Sequence, residues 1–244
     1  MSGPNVDLEK PNAIGGIDRL VTNFALSVIA VFPTFWTCIA MPWRLRPLLE
    51  KDEPDGRMGM LLAPGAFFPF ALLVSLLVGA ILSTPETVRN NGSFIGPDLA
   101  VSVQSAASEG DIWKIIATVM PLYGAAIYVG LVGLILRRWA GQDWTLRVSL
   151  RAAFYVMAVL ISWIIVTTAI IDLIWLKTGN NDIFHISYIF VTLPALGFFF
   201  WLYFWFFRND NATSNVKASA LSLSMFVLMI LPMVGIDLLT RFYN

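Results

Sequence analysis

Six long stretches of this chain contain no Asp, Glu, Lys or Arg, and this pattern constrains the fold more than any other feature. They are residues 20–43, 58–85, 115–136, 152–171, 183–207 and 218–236, with lengths of 24, 28, 22, 20, 25 and 19 residues. A helix needs about 20 apolar residues to cross the ~30 Å hydrocarbon core of a bilayer. Because backbone amides in lipid must find partners within their own segment, the stretches predict an all-α polytopic integral membrane protein.

The composition limits the partners and sites that such a chain can have. Apolar residues make up 57% of the chain and charged residues 13%, whereas soluble domains average about 25% charged residues. The lipid bilayer is therefore the main partner. The equal numbers of basic and acidic residues, 16 each, exclude nucleic acid as a partner. A single histidine and a single cysteine exclude a multi-histidine metal site and an intramolecular disulfide, and we expect no metal or other cofactor.

The polar segments are too short to form a second domain, so we expect one membrane domain over residues 1–244. The predicted parts are a tail at 1–16, a first apolar segment at 17–43, transmembrane helices at 64–82, 115–136, 152–174, 183–207 and 217–239, and a polar loop outside the membrane at 83–111. The tail has no apolar core typical of a cleavable signal peptide.

Of the six stretches, the first is the least like a transmembrane helix. Its apolar residues repeat at helical spacing among polar ones, which is typical of an amphipathic helix, and Pro33 is expected to break its middle. If it lies at the interface or re-enters the same leaflet, Lys and Arg divide 12 inside to 4 outside; if it crosses, they divide 10 to 6. The positive-inside rule favours the first scheme, with a cytoplasmic N-terminus and an outside C-terminus. A kinked crossing helix is the alternative.

Two carboxylates form a candidate ligand or ion site. Asp172 and Asp237 follow 20 and 19 residues after the starts of their apolar stretches, in the similar sequences Ile-Asp-Leu-Ile and Ile-Asp-Leu-Leu. Both are expected near the outer face, and His185 could join the same layer. Paired acids could bind a cation or relay a proton. The alternative is that both are simply hydrated at the headgroup level.

Two further patterns suit contacts between helices. Nine of the ten residues from Phe198 to Phe207 are aromatic, and Trp201, Tyr203 and Trp205 are candidates for an aromatic surface against lipid, another subunit, a quinone or a pigment. The small residues that let helices approach closely are Gly124, Ala126, Gly130 and Gly133.

The chain contains no common catalytic signature: no P-loop, no His-Glu-x-x-His and no Cys-x-x-Cys. We therefore expect a non-enzymatic accessory or assembly subunit of a larger membrane complex, working with other membrane-protein subunits through helix–helix contacts. The alternatives are a small transporter or channel that uses Asp172 and Asp237, and a lipid-modifying enzyme, for which no nucleophile is evident.

Three segments carry a family resemblance: residues 42–47 (Pro-Trp-Arg-Leu-Arg-Pro), residues 64–69 (Pro-Gly-Ala-Phe-Phe-Pro), and residues 136–155, which end in Leu-Arg-Ala-Ala-Phe-Tyr. Together they resemble the Yip family of Ypt/Rab-interacting Golgi membrane proteins and their bacterial relatives. The resemblance implies a cytoplasmic N-terminus and about five membrane helices. The long acidic tail of the eukaryotic members is missing, which favours a bacterial-type relative in the inner membrane.

Overall fold

The computed structural model describes residues 13–50, 57–58, 61–82, 102–103, 105–141, 144–178, 182–208 and 214–243. Within these ranges, the side chains of 13–20, 57–58, 175–176, 182–188 and 230–243 are not described.

Nearly all of the described chain is helical, which confirms the predicted all-α membrane architecture. The elements are α1 (Ala13–Ala40), a 3₁₀ turn (Pro42–Leu45), α2 (Arg46–Glu50), β1 (Arg57–Met58), β2 (Leu61–Leu62), α3 (Pro64–Leu82), α4 (Ile112–Trp139), α5 (Leu146–Thr178), α6 (Asp182–Phe207) and α7 (Asn215–Tyr243). The two short strands pair antiparallel, with Arg57 opposite Leu62.

Among the described residues, five helices have segments long and apolar enough to cross a membrane: Val21–Ala40, Pro64–Leu82, Ile112–Trp139, Leu146–Ile174 and Ile189–Phe207. Helix α7 has 29 residues, of which the described apolar part is the shorter segment Asn215–Met229. The chain is therefore an integral membrane protein by the length and composition of its helices.

Several helices are longer than the charge-free stretches that predict them. Helix α4 includes Lys114, Arg137 and Arg138, and α5 begins at Leu146, five residues before Arg151. The reason is that helical hydrogen bonding does not stop at the edge of the hydrocarbon core, whereas a charge-free stretch ends at the first ionised side chain. The predicted polar loop is also partly helical, at residues 102–103 and 105–108, and its residues 83–101 and 104 lie outside the described residues.

Helix α5 forms the centre of the bundle. Helices α3, α4 and α6 pack directly against it, α7 packs against α6 and α4, and α1 packs against α3. The side chains of Ala152, Tyr155 and Val159 on α5 are completely buried. Helices α4 and α1 each have one face packed against this core and another face exposed on the outside of the bundle.

Helix α1 lies lengthwise along α3. The Phe24 and Phe70 rings are 5.5 Å apart, and ten residues further along α1 the Thr34 hydroxyl accepts a hydrogen bond from the Leu62 backbone N–H at 2.9 Å. These contacts make α1 antiparallel to α3, and whether the first segment crosses the membrane stays a prediction. The expected break at Pro33 is wrong, since the helix is continuous from Ala13 to Ala40. Proline removes one backbone donor but does not always end a helix that neighbouring helices support.

Two side chains of α5 bind the end of α2 and the strand β2. Arg151 donates through Nη1 to the Leu49 carbonyl at 2.9 Å, and the Tyr155 hydroxyl donates to the Leu62 carbonyl at 2.8 Å. Because Arg151 and Tyr155 are four residues apart on one helix, they face the same side, and together they tie α2 and β2 to α5.

Local sequence explains both ends of α4. At its start, the Asp111 carboxylate accepts a hydrogen bond from the Lys114 backbone N–H at 3.1 Å and so caps the helix. Next to this cap, the Lys114 ammonium donates to Glu109 and lowers the pKa of that carboxyl. At its end, Gly141 adopts a positive φ of 73°, which glycine allows without strain, and its N–H donates to the Arg138 carbonyl.

Candidate functional site

Basic side chains collect at one end of the bundle, where α1, α4 and α6 end and α3, α5 and α7 begin. Arg46 donates through Nη1 to the Arg208 carbonyl at 3.0 Å, beside the end of α6. Lys217, in the first turn of α7, donates through Nζ to the Ala140 carbonyl at 2.7 Å, at the end of α4. We call this region the cationic end.

The most buried member of the cationic end is Arg137, whose side chain is only 3% exposed. Its Nη2 donates to the Phe206 carbonyl at 2.9 Å, and its guanidinium carbon lies 4.4 Å from the centre of the Trp144 ring and 5.4 Å from that of Phe207. Among the described residues it contacts no carboxylate. Its charge is instead opposed by a helix C-terminus and two aromatic faces.

These contacts have one physical cause. The last carbonyls of a helix have no partner within the helix and carry partial negative charge, so cations near them supply the missing hydrogen bonds. Arg46 and Arg137 both donate to carbonyls at the end of α6. Lys217 donates to a carbonyl at the end of α4, and Arg151 donates to one at the end of α2. The cationic end thereby joins five helices through side chain–backbone bonds.

Aromatic residues complete this end. The Trp201 Nε1 donates to the Ile39 carbonyl of α1 at 3.0 Å, and the Trp43 and Trp205 rings are 5.0 Å apart. The guanidinium of Arg208 lies 4.9 Å from the centre of the Trp205 ring. The aromatic run therefore connects α6 to α1 within the chain.

The expected aromatic surface needs one correction. Trp201 is exposed and Trp205 is half-buried, but Tyr203 is 0% exposed. The run turns about 100° per residue, so successive rings cannot share one face. Tyr203 lies on the core side with Phe199, whose ring centre is 4.9 Å away, and with Phe207, at 5.3 Å.

The small residues of α4 divide into two groups. Ala126, Gly130 and Gly133 are buried, and a Cβ at Gly130 would lie 2.8 Å from Leu150 Cδ2 and 3.2 Å from Leu150 Cα. The neighbour at Gly130 is therefore α5 of the same chain. Gly124 is exposed, and a Cβ there would meet no atom within 4 Å.

The proposed acidic layer is described only at Asp172, because the side chains of His185 and Asp237 lie outside the described residues. Asp172 is 6% exposed, so this carboxyl is buried within the chain rather than fully exposed at the helix end. No group of three or more His, Cys, Asp or Glu that could hold a metal ion occurs in the part of the chain that the structure describes. Whether Asp172 binds an ion stays a prediction.

Sequence reasoning missed the burial of Arg137, which directly follows the charge-free stretch 115–136 and precedes a second arginine, Arg138. A signal was present: Arg137 follows Gly133 by four residues and Gly130 by seven, which is the spacing of one helix face. The face that carries the small residues therefore continues to Arg137. Arg138, about 100° further round the helix, is exposed.

Comparison with protein-family models, with curated proteins and with solved structures finds no match to this chain. The function proposed below is therefore supported by the geometry and by the sequence.

Proposed function

We propose that this chain is a non-enzymatic accessory or assembly subunit of a larger membrane-protein complex and acts through contacts between helices. The observation that carries this proposal is the outward face of the first half of α4. Trp113 is 79% exposed, and Ala117, Met120, Pro121 and Gly124 are also exposed within the described part of the chain.

Small side chains on this face suit a protein neighbour. Ala117, Pro121 and Gly124 lie at spacings of four and three residues, so they share one side of α4. Acyl chains are as apolar as the helices, so no hydrophobic effect drives helices together in lipid. Helices associate there through close packing, which small residues allow. A helix of another subunit could approach closely here.

Two buried hydroxyls of α5 also favour a packing role over transport. The buried hydroxyl of Ser149 donates to the Gly130 carbonyl, and that of Thr168 donates to the Ile164 carbonyl. These polar groups are therefore satisfied by backbone rather than directed into a water-filled path. The surrounding α5 side chains are apolar and closely packed.

The proposal is tested by replacing Gly124 with Leu, using Gly197→Leu on α6 as the matched control. Both glycines are exposed within apolar helices, and a Cβ at either meets no atom within 4 Å. We expect Gly124→Leu to fold normally but to lose partners that co-purify with the wild type in mild detergent, and Gly197→Leu to retain them. A wild-type protein that purifies without any partner, in several mild detergents, would contradict the proposal.

Transport through the acidic layer is the second candidate, and the burial of Asp172 favours it. Acidic residues buried in membrane helices are costly and frequently belong to ion or proton pathways. The same purification, combined with an uptake assay in proteoliposomes, distinguishes the two functions. An Asp172→Asn variant should keep its partners if the chain is an accessory subunit. A variant that keeps its partners but loses proton- or cation-dependent uptake in proteoliposomes would favour the transporter.

For the orientation, we propose that the cationic end faces the cytoplasm of a bacterial inner membrane. The division of Lys and Arg supports this under both topologies, at 12 to 4 or 10 to 6. The packing of α1 along α3 supports a crossing first helix, which would put both termini on the outer side. The expected cytoplasmic N-terminus and the Yip resemblance, with about five helices, support the alternative.

Cysteine labelling separates these topologies. In a Cys38→Ser background, a cysteine at Ser2 should react with a membrane-impermeant thiol reagent in intact cells, as should a cysteine at Asn244, while one at Gly141 should not. Protection of the Ser2 cysteine together with labelling at Asn244 would show that the first segment does not cross, and would favour the Yip-type arrangement.

A further inference from the structure

Helices α4 and α7 are joined on the outside of the bundle by two hydrogen bonds. The Tyr128 hydroxyl donates to the Leu228 carbonyl at 3.0 Å, and Lys217 Nζ donates to the Ala140 carbonyl at 2.7 Å. We call the strip between these bonds, from Tyr128 to Ala140 on α4 and from Lys217 to Leu228 on α7, the α4–α7 seam. Tyr128 and Lys217 are both exposed.

The length of the α4–α7 seam corresponds to one leaflet. Twelve residues separate Tyr128 from Ala140, and a helix rises about 1.5 Å per residue, which gives roughly 18 Å. Half of the hydrocarbon core is about 15 Å. The seam therefore extends from the cationic end to about the depth of the bilayer centre.

The α4–α7 seam offers an apolar surface to the bilayer. Ile135 is 65% exposed, and the other exposed apolar side chains within the ranges of the seam include Leu131 on α4 and Leu223 and Val227 on α7. Ser224 also lies on the seam, but its hydroxyl donates to the Ala220 carbonyl of its own helix. This surface suits an acyl chain.

Where the seam reaches the cationic end, its basic side chains suit a phosphate. An ammonium has three N–H donors, and Lys217 uses one of them on Ala140. Arg138 is exposed on the neighbouring last turn of α4, and Trp139 beside it is 84% exposed. Within the described residues, neither Lys217 nor Arg138 contacts a carboxylate.

We propose that the α4–α7 seam binds an anionic phospholipid. Its phosphate would lie between Lys217 and Arg138, its acyl chain would follow Ile135, and Trp139 would lie at the headgroup level, where tryptophan is enriched. Charge complementarity selects an anionic over a zwitterionic lipid, because basic residues at a membrane surface each attract acidic headgroups. This binding goes beyond the accessory function and needs no protein partner.

The test measures phosphatidylglycerol and phosphatidylcholine adducts of the intact protein by native mass spectrometry from mild detergent. The wild type should bind phosphatidylglycerol more tightly. The double variant Arg138→Gln, Lys217→Gln should bind it roughly 25-fold more weakly, from about fivefold for each charge removed. Arg44→Gln removes another exposed cation of the same end that lies outside the seam, so it is the control and should lose much less binding than the double variant.

Lys217→Arg separates a lipid role from a purely structural one. This substitution keeps the positive charge, so the variant should retain phosphatidylglycerol binding. Thermal unfolding in detergent shows whether each variant is folded. Equal binding of the two lipids, or equal losses in the double variant and Arg44→Gln, would overturn the proposal. So would efficient disulfide formation between two copies through Ile135→Cys in a Cys38→Ser background, since a second copy would then cover the seam.

Discussion

Gly130→Leu should destabilise the chain by about 3 kcal/mol, at the upper end of the usual cost of overpacking. A Cβ at this position would already lie 3.2 Å from the Leu150 Cα, and a backbone atom cannot rotate away as a side chain can. Separating α4 from α5 would also break the hydrogen bond from Ser149 Oγ to the Gly130 carbonyl. The measurement is the fraction folded in detergent against temperature or denaturant, together with the amount of inserted protein in cells.

The matched control is Gly124→Leu on the same helix, where a Cβ meets no atom within 4 Å. Leucine has the higher helix propensity, by up to about 1 kcal/mol, so this variant should be as stable as the wild type or slightly more stable. Equal stability of the two leucine variants would mean that α4 does not pack closely on α5 at Gly130.

Arg137→Ala should lower the free energy of unfolding by roughly 2–3 kcal/mol. The substitution removes a hydrogen bond from a charged donor, about 1.5–3 kcal/mol, and a desolvated cation–π contact, about 2 kcal/mol. The cost of burying the guanidinium is removed at the same time, which offsets part of the loss. The result is a net loss, because the Phe206 carbonyl and the Trp144 ring lose a partner that alanine cannot replace.

Arg138→Ala is the control for Arg137→Ala, since it removes an equal charge from the next residue. Its side chain is exposed, so its stability should change by no more than about 0.5 kcal/mol. An Arg137→Met variant tests whether the cost of burying the guanidinium exceeds the gain from its contacts, because methionine keeps the apolar stem without the charge. If Arg137→Met were more stable than the wild type, desolvation would outweigh the contacts with Phe206 and Trp144.

The start of α3 and the turn after α4 show how much local sequence predicts. The predicted helix 64–82 coincides with Pro64–Leu82, where proline suits a first helical position. The Gly141 turn ends α4 where the sequence reads Arg-Arg-Trp-Ala-Gly, a local signal that the sequence analysis above did not use. Such features depend on the residues at the position and on the nearest neighbours, so the sequence alone is sufficient.

The candidate site was harder to predict, because its residues come from distant segments. Arg46 and Arg208 are separated by 162 residues, as are Trp201 and Ile39. The sequence indicates that cations collect on the same side of the membrane, through the positive-inside rule. It does not indicate which helix C-terminus each one reaches, because that depends on the order of the helices around α5.

The sequence by itself determined that this is a helical membrane protein, since charge-free stretches of about 20 residues have no other stable form in lipid. Tertiary structure decided which face of each helix is buried. Arg137 is inside and Arg138 outside, and Gly130 is covered while Gly124 is open, although each pair has similar local sequence. The physical reason is that lipid and protein interiors are both apolar, so hydrophobicity does not distinguish the two faces, and close packing between particular helices does.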